Sequence, residues 1–112
     1  MSSMHSPTSL APHALPRFTA LGAGPTVLML HGIGGGHRAF APQVEALAQA
    51  GYRAVAWDMP GYGESPTVAP YDFEHLAMAL WQMLDAAHIR KAVLVGHSMG
   101  AMVALQAWTQ MP

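Results

Sequence analysis

The sequence predicts an α/β fold: a mostly parallel sheet with covering helices, incomplete at the C-terminus. Three observations carry this expectation. Short β-branched and apolar runs alternate with longer segments of helical periodicity, in the order β-α-β-α-β-α. The runs are apolar throughout rather than alternating, as strands covered on both faces are. The 112-residue chain is 52% hydrophobic and only 10% charged, which suits interior elements and not a disordered segment.

Residues 1–16, MSSMHSPTSLAPHALP, are rich in Ser, Pro and His without periodicity and read as a flexible leader, leaving 17–112 as the domain. Val27-Leu28-Met29-Leu30 is a buried parallel strand ending at His31-Gly32. Phe40, Val44, Leu47 and Ala48 follow at helical spacing, and Gly51 closes that helix. Tyr52 to Trp57 is the second strand, stopped by Asp58 and the turn Pro60-Gly61-Tyr62-Gly63. Phe73, Leu76, Ala77, Leu80, Leu84 and Ala87 mark an amphipathic helix with Asp72 at its N-cap. Ala92 to Val95 is the third strand, and Met99 to Gln110 a helix apolar nearly all round. Parallel strands joined this way require right-handed crossovers.

Bulk properties narrow the function. The formal charge is −1, with no basic stripe for nucleic acid and no polybasic run for an anionic membrane. Zero cysteines remove disulfides, thiolate metal sites and cysteine catalysis together. The N-terminus has neither a charged n-region nor an apolar h-region, so no secretory signal is read there. The expected setting is cytoplasmic.

The chemistry concentrates where the third strand meets its helix, in VLVGHSMGAM. A nucleophile at this junction must stand on a very sharp turn, which crowds the residues two before and two after it. Gly96 and Gly100 meet that need around Ser98. The turn also sets Ser98 at a helix N-terminus, where free N–H groups and the helix dipole favour an oxyanion. The Met99 amide is the natural first donor. His31-Gly32-Ile33, at the first strand's end, precedes Gly34-Gly35-Gly36, so the Ile33 amide is the candidate second donor. Asp58, opening the segment DMPGYGES with Gly61 and Gly63, is read as holding that turn by hydrogen bonds.

HGIGGG, DMPGYGES and GHSMG, in this order and spacing, resemble the N-terminal half of an α/β-hydrolase, over about residues 17 to 112. The resemblance implies a Ser-His-Asp/Glu triad with Ser98 as nucleophile, Ile33 and Met99 at the oxyanion hole, and no cofactor. It implies a small-molecule ester or lactone as substrate, with C–C hydrolysis, acyl transfer and perhydrolysis as alternatives on the same fold. It also implies that Tyr52–Trp57 pairs with Val27–Leu30, which pairs with Ala92–Val95. The outer edge of the last strand is then open to self-association.

In this family the acid and the histidine follow the serine along the chain. The residues after Ser98, MGAMVALQAWTQMP, contain no Asp, Glu or His, and the sequence is read as a fragment. His97 neighbours Ser98 on a strand and points the other way. His31 reads as support for its loop, His75 and His88 as solvated, and His5, His13 and His37 as parts of mobile stretches. No histidine pair has metal-ligand spacing. Asp72, Glu74 and Asp85 read as surface charges. Two other classes compete. Gly34-Gly35-Gly36-His37-Arg38-Ala39 formally matches a dinucleotide fingerprint, although His31-Gly32-Ile33 separates it from its strand. A hydrolase-like binding protein without catalysis is the other.

Overall fold

The computed structural model describes residues 14–110. Four strands, β1 (Phe18–Leu21), β2 (Thr26–Leu30), β3 (Arg53–Trp57) and β4 (Ala92–Gly96), form one sheet in the order β1-β3-β2-β4. Three helices, α1 (Ala41–Gln49), α2 (Phe73–Ala86) and α3 (Met99–Gln110), connect or follow them, and a 3-10 turn at His37–Phe40 leads into α1. The pairings of β2 with β3 and with β4 are parallel, as expected, with Leu28 opposite both Val55 and Leu94.

The first strand departs from the expectation. Phe18–Leu21 pairs antiparallel with β3, Phe18 opposite Trp57 and Leu21 opposite Ala54. Three of its four residues are exposed, so its own side chains give no strand signal; pairing with β3 makes it a strand. The expected leader falls largely on residues 1–13, outside the described residues, while Pro16 is already buried.

The connections fix where a ligand can sit. From β2 the chain moves to one side, to β3, and from β3 it crosses back over β2 to β4. Right-handed crossovers in opposite directions place α1 and α2 on opposite faces of the sheet. The carboxyl ends of β2 and β4 therefore flank the reversal point, the crevice where α/β sheets take ligands. On one face Leu28, Leu30, Val55 and Trp57 pack with Leu76, Leu80, Met83 and Leu84 of α2 and Val103 and Ala107 of α3. The Trp81 indole N–H donates to the Ala107 carbonyl at 2.9 Å and ties α2 to α3. α1 packs on β3 and β1, where Ala54 and Ala56 are fully buried.

Asp72 caps α2 as expected, accepting from the His75 amide at 2.8 Å. That hydrogen bond, and a second from the His75 ring, hold its carboxyl below the ordinary aspartate value. α3 buries only Gly100, Val103 and Ala107, leaving Met102, Leu105 and Trp108 in the open. Among the described residues, no helix is long and apolar enough to cross a membrane.

Candidate active site

Ser98 sits between the end of β4 and the first turn of α3, exposed, with φ at 58°. A non-glycine residue in the left-handed region is strained, and such strain persists only where the surroundings enforce it. Here they do. A methyl on Gly96 would lie 2.6 Å from the Ala101 nitrogen and from the Gly100 carbonyl oxygen. A methyl on Gly100 would lie 2.7 Å from the His31 carbonyl oxygen and still closer to that of Leu30. The turn packs backbone against backbone, and only glycine fits at either position.

The same packing joins Ser98 to the loop after β2. His97 N–H donates to the Leu30 carbonyl at 3.0 Å. A methyl on Gly32 would meet the Ser98 Cβ at 3.0 Å, so the Gly32–Ile33 peptide runs beside the serine. Gly35 N–H donates to the Gly32 carbonyl at 3.1 Å, closing a β-turn with Ile33 and Gly34 at its centre. Gly34 has φ 82°, while Ile33 keeps an ordinary negative φ, which is a type II turn. In that turn the Ile33 N–H is not needed for closure. Among the described residues neither the Ile33 nor the Met99 amide donates a hydrogen bond. α3 carries no acidic residue in its first turn to compete for that end of the dipole.

His31 holds its loop and does not serve Ser98. It is buried, its Nε2 accepts the Met59 amide at 3.0 Å, and its Nδ1 therefore donates to the Gly32 carbonyl at 2.8 Å. Tyr62 stacks edge-on against this ring at 4.8 Å and accepts the Gly34 amide at 3.3 Å. The Tyr71 hydroxyl donates to the Pro60 carbonyl at 2.7 Å; burial, then the neighbouring Tyr62, push it above the ordinary tyrosine value. Gly61, with φ 88°, donates its amide to the Ser65 carbonyl at 3.1 Å and closes the turn.

Two expectations need correction here. Asp58 holds its own turn only through its carbonyl, which accepts the Ser65 hydroxyl. Its carboxylate turns away and accepts the His37 amide at 2.9 Å and the His37 ring Nδ1 at 3.0 Å. His37 is therefore not in a mobile stretch but is anchored across the site. The sequence held one hint of this: a carboxylate at a strand end with Gly63 near it. A methyl on Gly63 would meet an Asp58 carboxylate oxygen at 2.7 Å, so that glycine makes room for the anion. The pair also weakens the dinucleotide reading. The carboxylate occupies the amide that a phosphate would need, and the glycines lead into a 3-10 turn.

No histidine among the described residues hydrogen-bonds the Ser98 hydroxyl. His31 and His37 have the partners named above, His75 pairs with Asp72, His88 is exposed just after α2, and His97, expected on the strand, is exposed just past the end of β4. His5 and His13 lie outside the described residues. The site thus holds a serine on a strained turn and, among the described residues, two backbone amides near it that donate no hydrogen bond.

Residues 25–110 match the family model of the alpha/beta hydrolase fold. An epoxide hydrolase of Caballeronia sordidicola is 44% identical over 84% of the chain, which covers 30% of that protein. A putative carbamate hydrolase of Variovorax paradoxus is 40% identical over 74% of the chain, covering 32% of its length. Among solved structures, an epoxide hydrolase of Vigna radiata superposes with a TM-score of 0.80 at 33% identity, over 85% of this chain and 31% of that one. An esterase of Exiguobacterium antarcticum gives a TM-score of 0.80 at 30% identity, over 86% and 36% respectively. The chain spans about a third of the length of the proteins it matches.

Proposed function

This chain belongs to the α/β-hydrolase fold family, and we propose that it carries the nucleophile and oxyanion hole of a serine hydrolase acting on carboxylic esters or lactones. The observation that supports this most is Ser98 itself: φ 58°, on a strand-to-helix turn that Gly96 and Gly100 alone permit. In this reading the Ser98 oxygen attacks the substrate carbonyl carbon, and the oxyanion takes hydrogen bonds from the Ile33 and Met99 amides. The alkoxide leaves, and water then cleaves the acyl-serine. The proton on Ser98 needs a base, and that base an orienting acid. The chain spans about a third of the length of the proteins it matches, and in this reading both belong to the remainder of a longer protein.

Several relatives are named as epoxide hydrolases, and chemistry argues against carrying that substrate over. Serine attack on an epoxide carbon would form an ether, which water at a hydrolase site does not cleave. Turnover through a covalent intermediate needs a carboxylate nucleophile there, because the resulting ester can be hydrolysed. This chain has serine. An acyl substrate gives a serine ester, which water releases, and the esterase neighbour is compatible with that chemistry.

The test uses a longer protein supplying the acid and histidine. It is expected to hydrolyse 4-nitrophenyl butyrate with turnover that Ser98→Ala abolishes, and to leave styrene oxide unchanged. Sustained conversion of styrene oxide to its diol, lost in Ser98→Ala, would overturn the assignment.

A further inference from the structure

We infer that His37 is a positioning residue: its pairing with Asp58 fixes the loop that presents the Ile33 amide to the reacting oxygen. The inference rests on the serine-hydrolase reading above and adds a residue that reading does not require.

The loop from Gly32 to Gly36 contains four glycines and one isoleucine. Glycine loses more backbone freedom on ordering than any other residue, so such a segment has little intrinsic preference for one shape. Gly34 at φ 82° and Gly36 at φ 151° occupy regions that ordinary residues rarely adopt. The Ile33 side chain gives no anchorage either, being 78% exposed. Without outside restraint, the Ile33 N–H would sample many directions.

Within the loop the Gly35 amide donates to the Gly32 carbonyl and closes the turn; the side-chain ties from outside come from the turn after β3 and from His31. At the loop's start, His31 bridges the Gly32 carbonyl and the Met59 amide. At its middle, Tyr62 takes the Gly34 amide, but at 3.3 Å and in an exposed position, which is a weak hold. At its end, the Asp58 carboxylate accepts two donors from one residue, the amide and the ring of His37. A carboxylate acceptor makes both bonds charge-assisted and stronger than the neutral contacts upstream. It also fixes the ring tautomer, since an ionised carboxylate accepts only and Nδ1 must carry the hydrogen. The Asp58 side chain is 9% exposed, against 32% for His37. Gly36 and Gly63 line it closely, at 3.4 Å and 2.7 Å for a methyl at each. The anion is thus a nearly fixed post, and His37 is how the glycine loop is tied to it.

Asparagine places its amide nitrogen two bonds from Cβ, where the histidine ring has Nδ1. His37→Asn therefore keeps the side-chain donor, whereas His37→Ala keeps only the backbone one. Two measurements separate this inference from the function beneath it. Hydrogen exchange of the 32–40 segment in residues 1–112 needs no catalysis; His37→Ala is expected to speed it about tenfold and His37→Asn to restore it to within about threefold, as for local opening when one tie is lost. Steady-state kinetics on the longer protein with 4-nitrophenyl butyrate is expected to show kcat down about tenfold in His37→Ala, a fraction of what removing an oxyanion donor costs. KM should stay within about twofold, because the amide acts on the transition state, and His37→Asn should recover most of kcat. Unchanged exchange in His37→Ala overturns the inference, as does a rise in KM with unchanged kcat, or equal defects in the two variants. Should the longer protein lack esterase activity while exchange responds as expected, the catalytic reading fails and the anchoring of the loop stands.

Discussion

Gly100→Val, in a longer protein that supplies the acid and the histidine, is expected to lower the reactivity of Ser98 by at least about two orders of magnitude, the scale for a catalytic group displaced by an ångström or so. The cause is local and steric. The first added carbon would stand 2.7 Å from the His31 carbonyl oxygen and closer to that of Leu30, so β2 and the α3 turn must part. The Ile33 and Met99 amides, proposed above as the oxyanion donors, belong to the segments forced apart, one on each side. Overpacking backbone against backbone should also reduce stability by about 3 kcal/mol. Gly96→Val meets the Ala101 backbone instead and should act the same way. Fluorophosphonate labelling alongside a circular-dichroism melt checks both effects. Wild-type labelling in Gly100→Val would refute the geometry of the turn.

Residues 1–112 alone are expected to self-associate through β4. Among the described residues that strand ends the sheet order, and no strand pairs with its outer row of backbone groups. Val93 is 61% and Val95 41% exposed, on a strand that carries no charge. On the other face a largely apolar groove of about 660 Å³ opens between β4, α2 and α3, lined mainly by Trp81, Leu84, Ile89, Leu94, Leu105 and Trp108, with Arg90 and Lys91 also in its lining. An exposed apolar edge beside an open apolar groove is a surface that draws other chains. Light scattering should show mass rising with concentration, and a Val93→Lys, Val95→Lys double variant should shift the chain toward monomer. A wild-type monomer at every concentration, melting sharply, would contradict this.

What was legible in the sequence is what short-range sterics and periodicity dictate. Gly96, Ser98 and Gly100 announce the turn because no side chain fits beside a serine on it. The three parallel strands and three helices announce themselves as short apolar runs and segments of helical spacing, although α1 buries none of its residues and β4 and α3 leave apolar side chains in the open. The strand at Phe18–Leu21 was not legible: its conformation comes from β3, which lies more than 30 residues away in the chain, and not from its own mostly exposed residues. The same reason hid His37. A histidine after three glycines reads as mobile, and the carboxylate that fixes it is 21 positions further on. The two roles of Asp58 were half visible, since its hydrogen bond to Ser65 is local and its pairing with His37 is not.

The most direct test of the account is covalent labelling of Ser98. A serine is a weak nucleophile until a base removes its proton, so an activated serine and an unassisted one differ greatly toward a fluorophosphonate. Residues 1–112 place Ser98 on its turn, with the Ile33 and Met99 amides beside it and no histidine bonded to its hydroxyl among the described residues. A longer protein carrying an acid and a histidine after residue 112 should therefore label at Ser98, and residues 1–112 should stay essentially unlabelled under the same conditions. Ser98→Ala should abolish labelling of the longer protein, and His97→Ala should lower it only modestly. Labelling that persists in Ser98→Ala, or a short chain that reacts as fast as the long one, would contradict the assignment of nucleophile and base.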